Sequence, residues 1–219
     1  MRTHKKETYM LRIYGHPLSA PTNKVRMCAH AAGLDYELVV IDLSRGEHKG
    51  EEYLAINPAG QVPAIDHDGF RLFESNAISK YLAKSRPGLY PGEPSAQALV
   101  DQWCDFVSNL VMPGIGRILF NKLLAPQIGV PVDAAAISEG EQMLARALPI
   151  VEAQLNAHAY LAGDEFSIAD IALLATIDPA EAIALDLGPY PKLSAWRQQL
   201  CGQDFYTRVH KYYGEGATA

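Results

Sequence analysis

Apolar and polar positions change rhythm once along this chain, and the change divides it in two. In the first part apolar residues alternate with polar ones or fall in short runs between turn residues. Leu11 to Tyr14 alternates like a short strand, and Thr22 to Ala32 places Val25, Ala29 and Ala32 on one helical face before Gly33 ends it. Tyr36 to Asp42 reads as a second strand, completing a β-α-β unit. Val62 to Asp66 and Phe70 to Phe73 then read as strands joined by a turn at His67, Asp68 and Gly69, with a closing helix over Ser75 to Lys84. The predicted order is βαβ followed by ββα.

The stretch Ser85 to Ser95, S-R-P-G-L-Y-P-G-E-P-S, concentrates proline and glycine, which break regular elements and suit an interdomain linker. Beyond it every segment follows a helical period. The predicted helices are Ala96 to Phe120 with a bend at Pro113 and Gly114, Ala134 to Ala157, Ile168 to Ala184, and Lys192 to Leu200. Ser167 and Asp170 make an S-x-x-D capping pair ahead of Ile171, Leu173 and Leu174. The expected division is an N-terminal extension over 1–10, an α/β domain over 11–85, a linker over 86–95, an all-helical domain over 96–211 and a small polar tail over 212–219.

Composition narrows the functions such a chain can have. Its 219 residues are 48% hydrophobic, enough to fill a core, while a net charge of -6 leaves no broad basic footprint for nucleic acid. Arg2, Lys5 and Lys6 are not followed by the apolar core of a signal peptide, and the longest apolar stretch, near Ile171 to Ile177, is far short of the roughly 20 residues a membrane helix needs. A cytoplasmic protein without nucleic-acid or membrane partners is expected. Cys28, Cys104 and Cys201 are too widely spaced for a metal site or a disulfide framework, so no metal is expected and each reads as a small buried hydrophobe.

Candidate chemistry lies in the first part. Ser19 stands between the first strand and the first helix, where backbone N–H groups and the helix dipole favour negative charge. A thiol with a pKa near ~8.5 needs ~2.7 kcal/mol to become two units more acidic. A hydroxyl hydrogen bond to the anion supplies roughly 1.5 to 3 kcal/mol and a helix N-terminus ~0.3 to 1, so one serine here is sufficient. By itself Ser19 reads better as a plain turn residue, or Thr22 as the helix cap, because serines near helix starts are common.

The run N-P-A-G-Q-V-P-A-I holds Gln61, Val62 and Pro63. A cis bond at Pro63 would turn the Val62 backbone outward to pair with an extended peptide; the alternative is an ordinary edge-strand proline. Glu74 and Ser75 open the closing helix, where Ser75 caps it and receives a carboxylate while Glu74 pairs with an ammonium, or where both form a plain cap. His48 and Lys49, in R-G-E-H-K-G, either hold a second carboxylate or are a solvated charge run.

Taken together these segments resemble the cytosolic glutathione S-transferases, most closely the phi class, with theta-like and bacterial relatives nearby. The resemblance spans about Leu11 to Lys211. Y-G-H-P-L-S-A-P-T-N-K-V places Ser19 where that class has its thiol-activating serine, and D-L-S-R-G-E-H-K matches the loop that carries His48 and Lys49 onto the glycyl carboxylate. N-P-A-G-Q-V-P-A-I is similar to the family's N-P-F-G-Q-V-P-A-L, which implies Gln61 and Val62 on the peptide backbone and Pro63 in cis. L-F-E-S-N-A-I is similar to L-F-E-S-R-A-I, which implies Glu74 and Ser75 at the γ-glutamyl end, and Y-L-A-G-D-E-F-S-I-A-D-I resembles the family's capping-box segment. Two positions depart from the pattern: Asn76 stands for an arginine and Ala59 for a phenylalanine.

The resemblance implies a thioredoxin-like N-terminal domain with a mixed four-stranded sheet, an all-helical C-terminal domain and a homodimer. The implied function is conjugation of glutathione, as co-substrate, to small hydrophobic electrophiles. The acceptor would sit against Leu18 and Ala20, which flank Ser19, and against Ile115 and Leu119, which share a helical face, unless these four are core packing. Two other functions fit the same framework: glutathione-dependent peroxide reduction and a non-catalytic ligand-binding module. Dithiol reduction is disfavoured, because no cysteine stands at position 19 and Cys28 lies well inside the helix.

Overall fold

The computed structural model describes residues 10–210. All of the expected N-terminal extension except Met10, and the tail at 212–219, lie outside the described residues. Four strands, β1 (Leu11–Gly15), β2 (Tyr36–Val40), β3 (Ala64–His67) and β4 (Phe70–Phe73), form one sheet in the order β2-β1-β3-β4. β1 runs parallel to β2 and antiparallel to β3, and β3 pairs antiparallel with β4. The hairpin turns at Asp68 and Gly69, both at positive φ, with the Gly69 N–H donating to Asp66 Oδ1 at 2.8 Å.

Helix α1 (Ala20–Ala31) is buried on almost every side, because it is pressed between the sheet, α3 (Ser75–Ala83) and α8 (Ile168–Ile177). Its contact with α8 joins the two domains into one hydrophobic core. α8 is buried along its whole length, and its start is held by the capping box that Ser167 and Asp170 form. Residues 84–93 connect the domains without regular structure, yet Leu89 is buried and its carbonyl accepts the Ile168 N–H at 3.0 Å.

The helical domain departs from the predicted boundaries where proline intervenes. The run predicted over Ala96 to Phe120 is α4 (Pro94–Phe106), a π-helical turn (Val107–Val111) and α5 (Met112–Leu119), followed by a second π turn (Phe120–Leu124) and α6 (Ala125–Gln127). Each π turn comes just ahead of a proline, Pro113 or Pro126, whose missing N–H and ring are incompatible with a regular preceding turn. α7 (Ala134–Ala157) has the predicted ends. α8 stops at Ile177, short of the predicted Ala184, because Pro179 follows one residue beyond Asp178; Ala184 itself sits at φ +52. α9 (Pro191–Cys201) and the short α10 (Asp204–Thr207) close the described chain, and α2 (Glu51–Leu54), with a 3-10 turn over Glu47–Lys49, lies in the segment between β2 and β3.

Candidate functional site

The sheet register brings the separate motifs to one edge. Tyr14 of β1 pairs with Ala64 of β3, which pairs with Phe73 of β4, while Gly15 pairs with Val40 of β2. The chain therefore leaves β1 toward Ser19, leaves β2 toward His48, enters β3 from Val62 and Pro63, and leaves β4 toward Glu74, all at the same end of the sheet.

Ser19 is the N-cap of α1, with extended backbone (φ -89, ψ 115) and its Oγ accepting the Thr22 N–H at a long 3.4 Å. Ser19, not Thr22, is thus the cap; the Thr22 hydroxyl is buried beneath Gly15. A Cβ at Gly15 would stand 2.4 Å from Thr22 Cγ2, so the end of β1 approaches α1 as closely as it does only because residue 15 is glycine. The first turn of α1 carries no acidic residue, which leaves its dipole uncompensated beside the Ser19 hydroxyl.

The Val62–Pro63 peptide bond is cis. The residue before it is anchored twice: the Gln61 carbonyl accepts from the Tyr53 hydroxyl and from Asn57 Nδ2, each at 2.6 Å. Burial pushes the Tyr53 phenol up to about 12, so it stays a donor. Asn57 also accepts the Ala59 N–H at 3.0 Å, which closes the N-P-A-G turn on itself. Lys49 Nζ donates to the Gly60 carbonyl at 2.8 Å and brings the His48–Lys49 turn against this segment. His48 Nδ1 is buried there without a hydrogen-bond partner among the described residues.

Glu74 is the N-cap of α3 and holds an unusual φ of +71 and ψ of 109, a conformation that costs a non-glycine residue about 1–3 kcal/mol. Ser75 is expected from the sequence to cap this helix; it is instead the first helical residue, and the Glu74 side chain at the N-cap makes no capping bond. Among the described residues the N–H groups of that turn are therefore not taken by an N-cap side chain. Asn76 turns toward the helical domain, its Nδ2 donating to Ser108 Oγ at 3.1 Å and to the Cys104 carbonyl at 3.4 Å.

Sequence reasoning missed Lys24, Tyr53 and Asn57. Lys24 is only 4% exposed and donates to Asn76 Oδ1; burial lowers its pKa to about 8, opposed in part by the negative charge of Glu74. A lysine one position before the apolar face Val25–Ala29 was the available signal. For Tyr53 and Asn57 no signal short of the fold existed, since both act on a carbonyl.

Of the residues expected at an acceptor pocket, Leu18 and Leu119 are partly buried, Ala20 is 7% exposed and Ile115 is 1% exposed. Ile115 belongs to the central core and does not face an open surface, because α5 turns that side toward α7. Cys28 and Cys104 are buried and their thiols are pushed up to about 12 by burial, so both are inert. No group of three His, Cys, Asp or Glu side chains able to hold a metal occurs among the described residues.

Residues 10–84 match the family model described as glutathione S-transferase, N-terminal domain, and residues 105–204 the model described as glutathione S-transferase, C-terminal domain. The chain is 38% identical over 204 residues to a probable glutathione S-transferase GSTF2 of Oryza sativa subsp. japonica, covering 91% of this chain and 95% of that one. It is 34% identical to glutathione S-transferase 3 of Zea mays, over 91% and 92% of the two chains. Among solved structures, glutathione S-transferase I from maize in complex with an atrazine glutathione conjugate superposes with a TM-score of 0.85 at 34% identity, covering 91% and 96%. Glutathione transferase F7 from Populus trichocarpa gives 0.84, also at 34% identity, covering 91% and 97%.

Proposed function

The chain belongs to the glutathione S-transferase family, and we propose that in that family's reaction, transfer of the glutathione sulfur to an electrophile, the Ser19 hydroxyl is the group that holds the thiolate. The observation that carries this reading is the convergence of four strand ends at one end of the sheet, which gathers candidate donors and acceptors for each part of an extended γ-glutamyl tripeptide. Glu74 takes the ammonium and the uncapped first turn of α3, with Ser75, takes the γ-glutamyl carboxylate. The Val62 backbone beside cis-Pro63 pairs with the cysteinyl residue as an added strand, and His48 and Lys49 take the glycyl carboxylate.

This leaves the sulfur at the N-terminus of α1. Ser19 Oγ accepts a long bond from the Thr22 N–H and keeps its own proton to donate to sulfur. Ser19 does not attack; glutathione brings the nucleophile, and the hydroxyl and helix dipole stabilise its charge before and during attack. Leu18 and Leu119 are the candidate apolar contacts for the acceptor.

The exposed apolar residues Phe70, Phe73, Leu99 and Leu110 support a homodimer, and three free cysteines suit a reducing, cytoplasmic setting. The test of the central reading is Ser19→Ala. The apparent pKa of bound glutathione, followed by thiolate absorbance, should rise toward its solution value and kcat/KM at neutral pH should fall by about 10- to 100-fold. A variant with the wild-type thiol pKa and rate removes Ser19 from the mechanism.

A further inference from the structure

Asn23 lies one turn into α1, is 1% exposed, and makes two bonds to the segment that carries Ser19. Its side-chain Nδ2 donates to the Pro17 carbonyl at 2.8 Å and its backbone N–H donates to the Ser19 carbonyl at 2.8 Å. Within the turn the Ser19 N–H goes to the His16 carbonyl at 2.9 Å and the Leu18 N–H to His16 Nδ1 at 3.2 Å. The carbonyls on either side of Leu18 are therefore both held by one residue of the helix.

What faces the other end of the Asn23 amide decides which way round it sits. Arg26 Nη1 donates to Asn23 Oδ1 at 3.0 Å, and a guanidinium has no acceptor, so the amide must present oxygen to Arg26 and its NH2 to Pro17. Arg26 is 8% exposed, and its Nε donates to the Tyr36 hydroxyl at 3.1 Å, which lies 3.2 Å from His30 Nε2. It makes no ion pair among the described residues. A buried cation held by neutral oxygens is costly to folding unless those oxygens are held in place, so Arg26 constrains both Asn23 Oδ1 and the Tyr36 hydroxyl.

Resting on the reading of Ser19 given above, we propose that Asn23 is a positioning residue for the reaction. It clamps the Pro17–Ser19 turn to α1 so that the serine hydroxyl meets the glutathione sulfur, and Arg26, braced on Tyr36 of β2, fixes the amide in the orientation that does so. A hydroxyl that stabilises a thiolate must be held to within about half an ångström. A freed Pro17 carbonyl lets the turn move on the Ser19 side as well, since only Leu18 separates them.

The experiment compares Asn23→Ala, Tyr36→Phe and Ser19→Ala with the unaltered chain. It reads the pH midpoint of kcat/KM with a chloronitrobenzene acceptor, the thiolate absorbance of bound glutathione, glutathione affinity and melting temperature. Asn23→Ala should raise the midpoint by about half to one pH unit and lower kcat/KM below it by about 3- to 10-fold, with glutathione affinity within about twofold. Tyr36→Phe removes the brace on Arg26 but leaves the Arg26–Asn23 and Asn23–Pro17 bonds, so it should lower the melting temperature and move the midpoint by clearly less than Asn23→Ala. Should Asn23→Ala fail to fold, Asn23→Leu/Arg26→Met replaces both partners with apolar groups, and Arg26→Met alone subtracts the loss of charge. A folded Asn23 variant with the original midpoint, or a Tyr36→Phe shift as large as that of Asn23→Ala, overturns the proposal. If Ser19→Ala also leaves the midpoint unmoved, it is the role of Ser19 that fails; if Ser19→Ala moves it and the Asn23 variants do not, only the positioning role fails.

Discussion

Lys24 Nζ donates to Asn76 Oδ1 at 2.5 Å, and through the Asn76 amide a buried cation of α1 is tied to Ser108 and Cys104 in the helical domain. Asn76 stands where the family pattern has an arginine, so the cation at this seam comes from α1 and the position after the Glu74–Ser75 pair supplies a neutral bridge.

The buried ammonium makes stability depend on pH in a defined direction. Its pKa falls from 10.5 in the unfolded chain to about 8 in the folded one, chiefly through burial. Between those values the unfolded chain binds the extra proton, so the folded state gains as pH rises through the window. Relative to Lys24→Met, the wild-type chain should gain up to about 3 kcal/mol between pH 8 and 10.5, read from denaturant midpoints at each pH. A difference that stays flat across this range would contradict burial of a charged lysine.

Gly60 holds φ +58, and a Cβ there would lie 3.0 Å from both the His48 carbonyl and Lys49 Nζ. Gly60→Ala should cost about 1–3 kcal/mol from backbone strain and push Lys49 off the Gly60 carbonyl. Calorimetry should show glutathione affinity falling along with the melting temperature; an unchanged affinity would separate Lys49 from the ligand.

The doubly anchored Gln61 carbonyl allows a graded test. Tyr53→Phe removes one of its two donors and should cost about 0.5–1.5 kcal/mol. Asn57→Ala should cost more, because Ala59 N–H loses its acceptor as well. Chemical denaturation of both variants checks the ranking, and equal costs would show that the Ala59 bond contributes nothing.

Asp170 is buried and accepts four bonds: Leu161 N–H at 3.0 Å and Trp196 Nε1 at 3.3 Å on Oδ1, Ser167 N–H at 3.0 Å and Ser167 Oγ at 3.2 Å on Oδ2. Asp170→Asn turns an NH2 group against two of these donors. The expected loss is about 2–4 kcal/mol, measured by thermal unfolding, and it should exceed that of Ser167→Ala, whose backbone N–H keeps its acceptor.

Strand alternation, helical period and turn residues carried the order of elements. Phe70–Phe73 and Ala134–Ala157 were legible to their ends, because local pattern and burial agree there. Boundaries slipped where proline acted at a distance along the helix, as in the π turns before Pro113 and Pro126 and the stop of α8 before Pro179. Ile115 was legible as apolar but not as core, since periodicity marks a face without saying what covers it.

The chain's own residues marked Ser19, Val62, Pro63, Glu74 and their neighbours as the candidate set; each alone also reads as a turn residue, an edge-strand proline or a helix cap, and it is their joint pattern that singled them out. Only tertiary structure decided that these segments share one sheet edge, that Glu74 rather than Ser75 precedes α3, and that Lys24, Asn23 and Asn57 brace them. The reason is physical: a strand end or a cap can be written in a few consecutive residues, whereas the partner of a buried amide or ammonium is chosen by register and packing between segments dozens of residues apart.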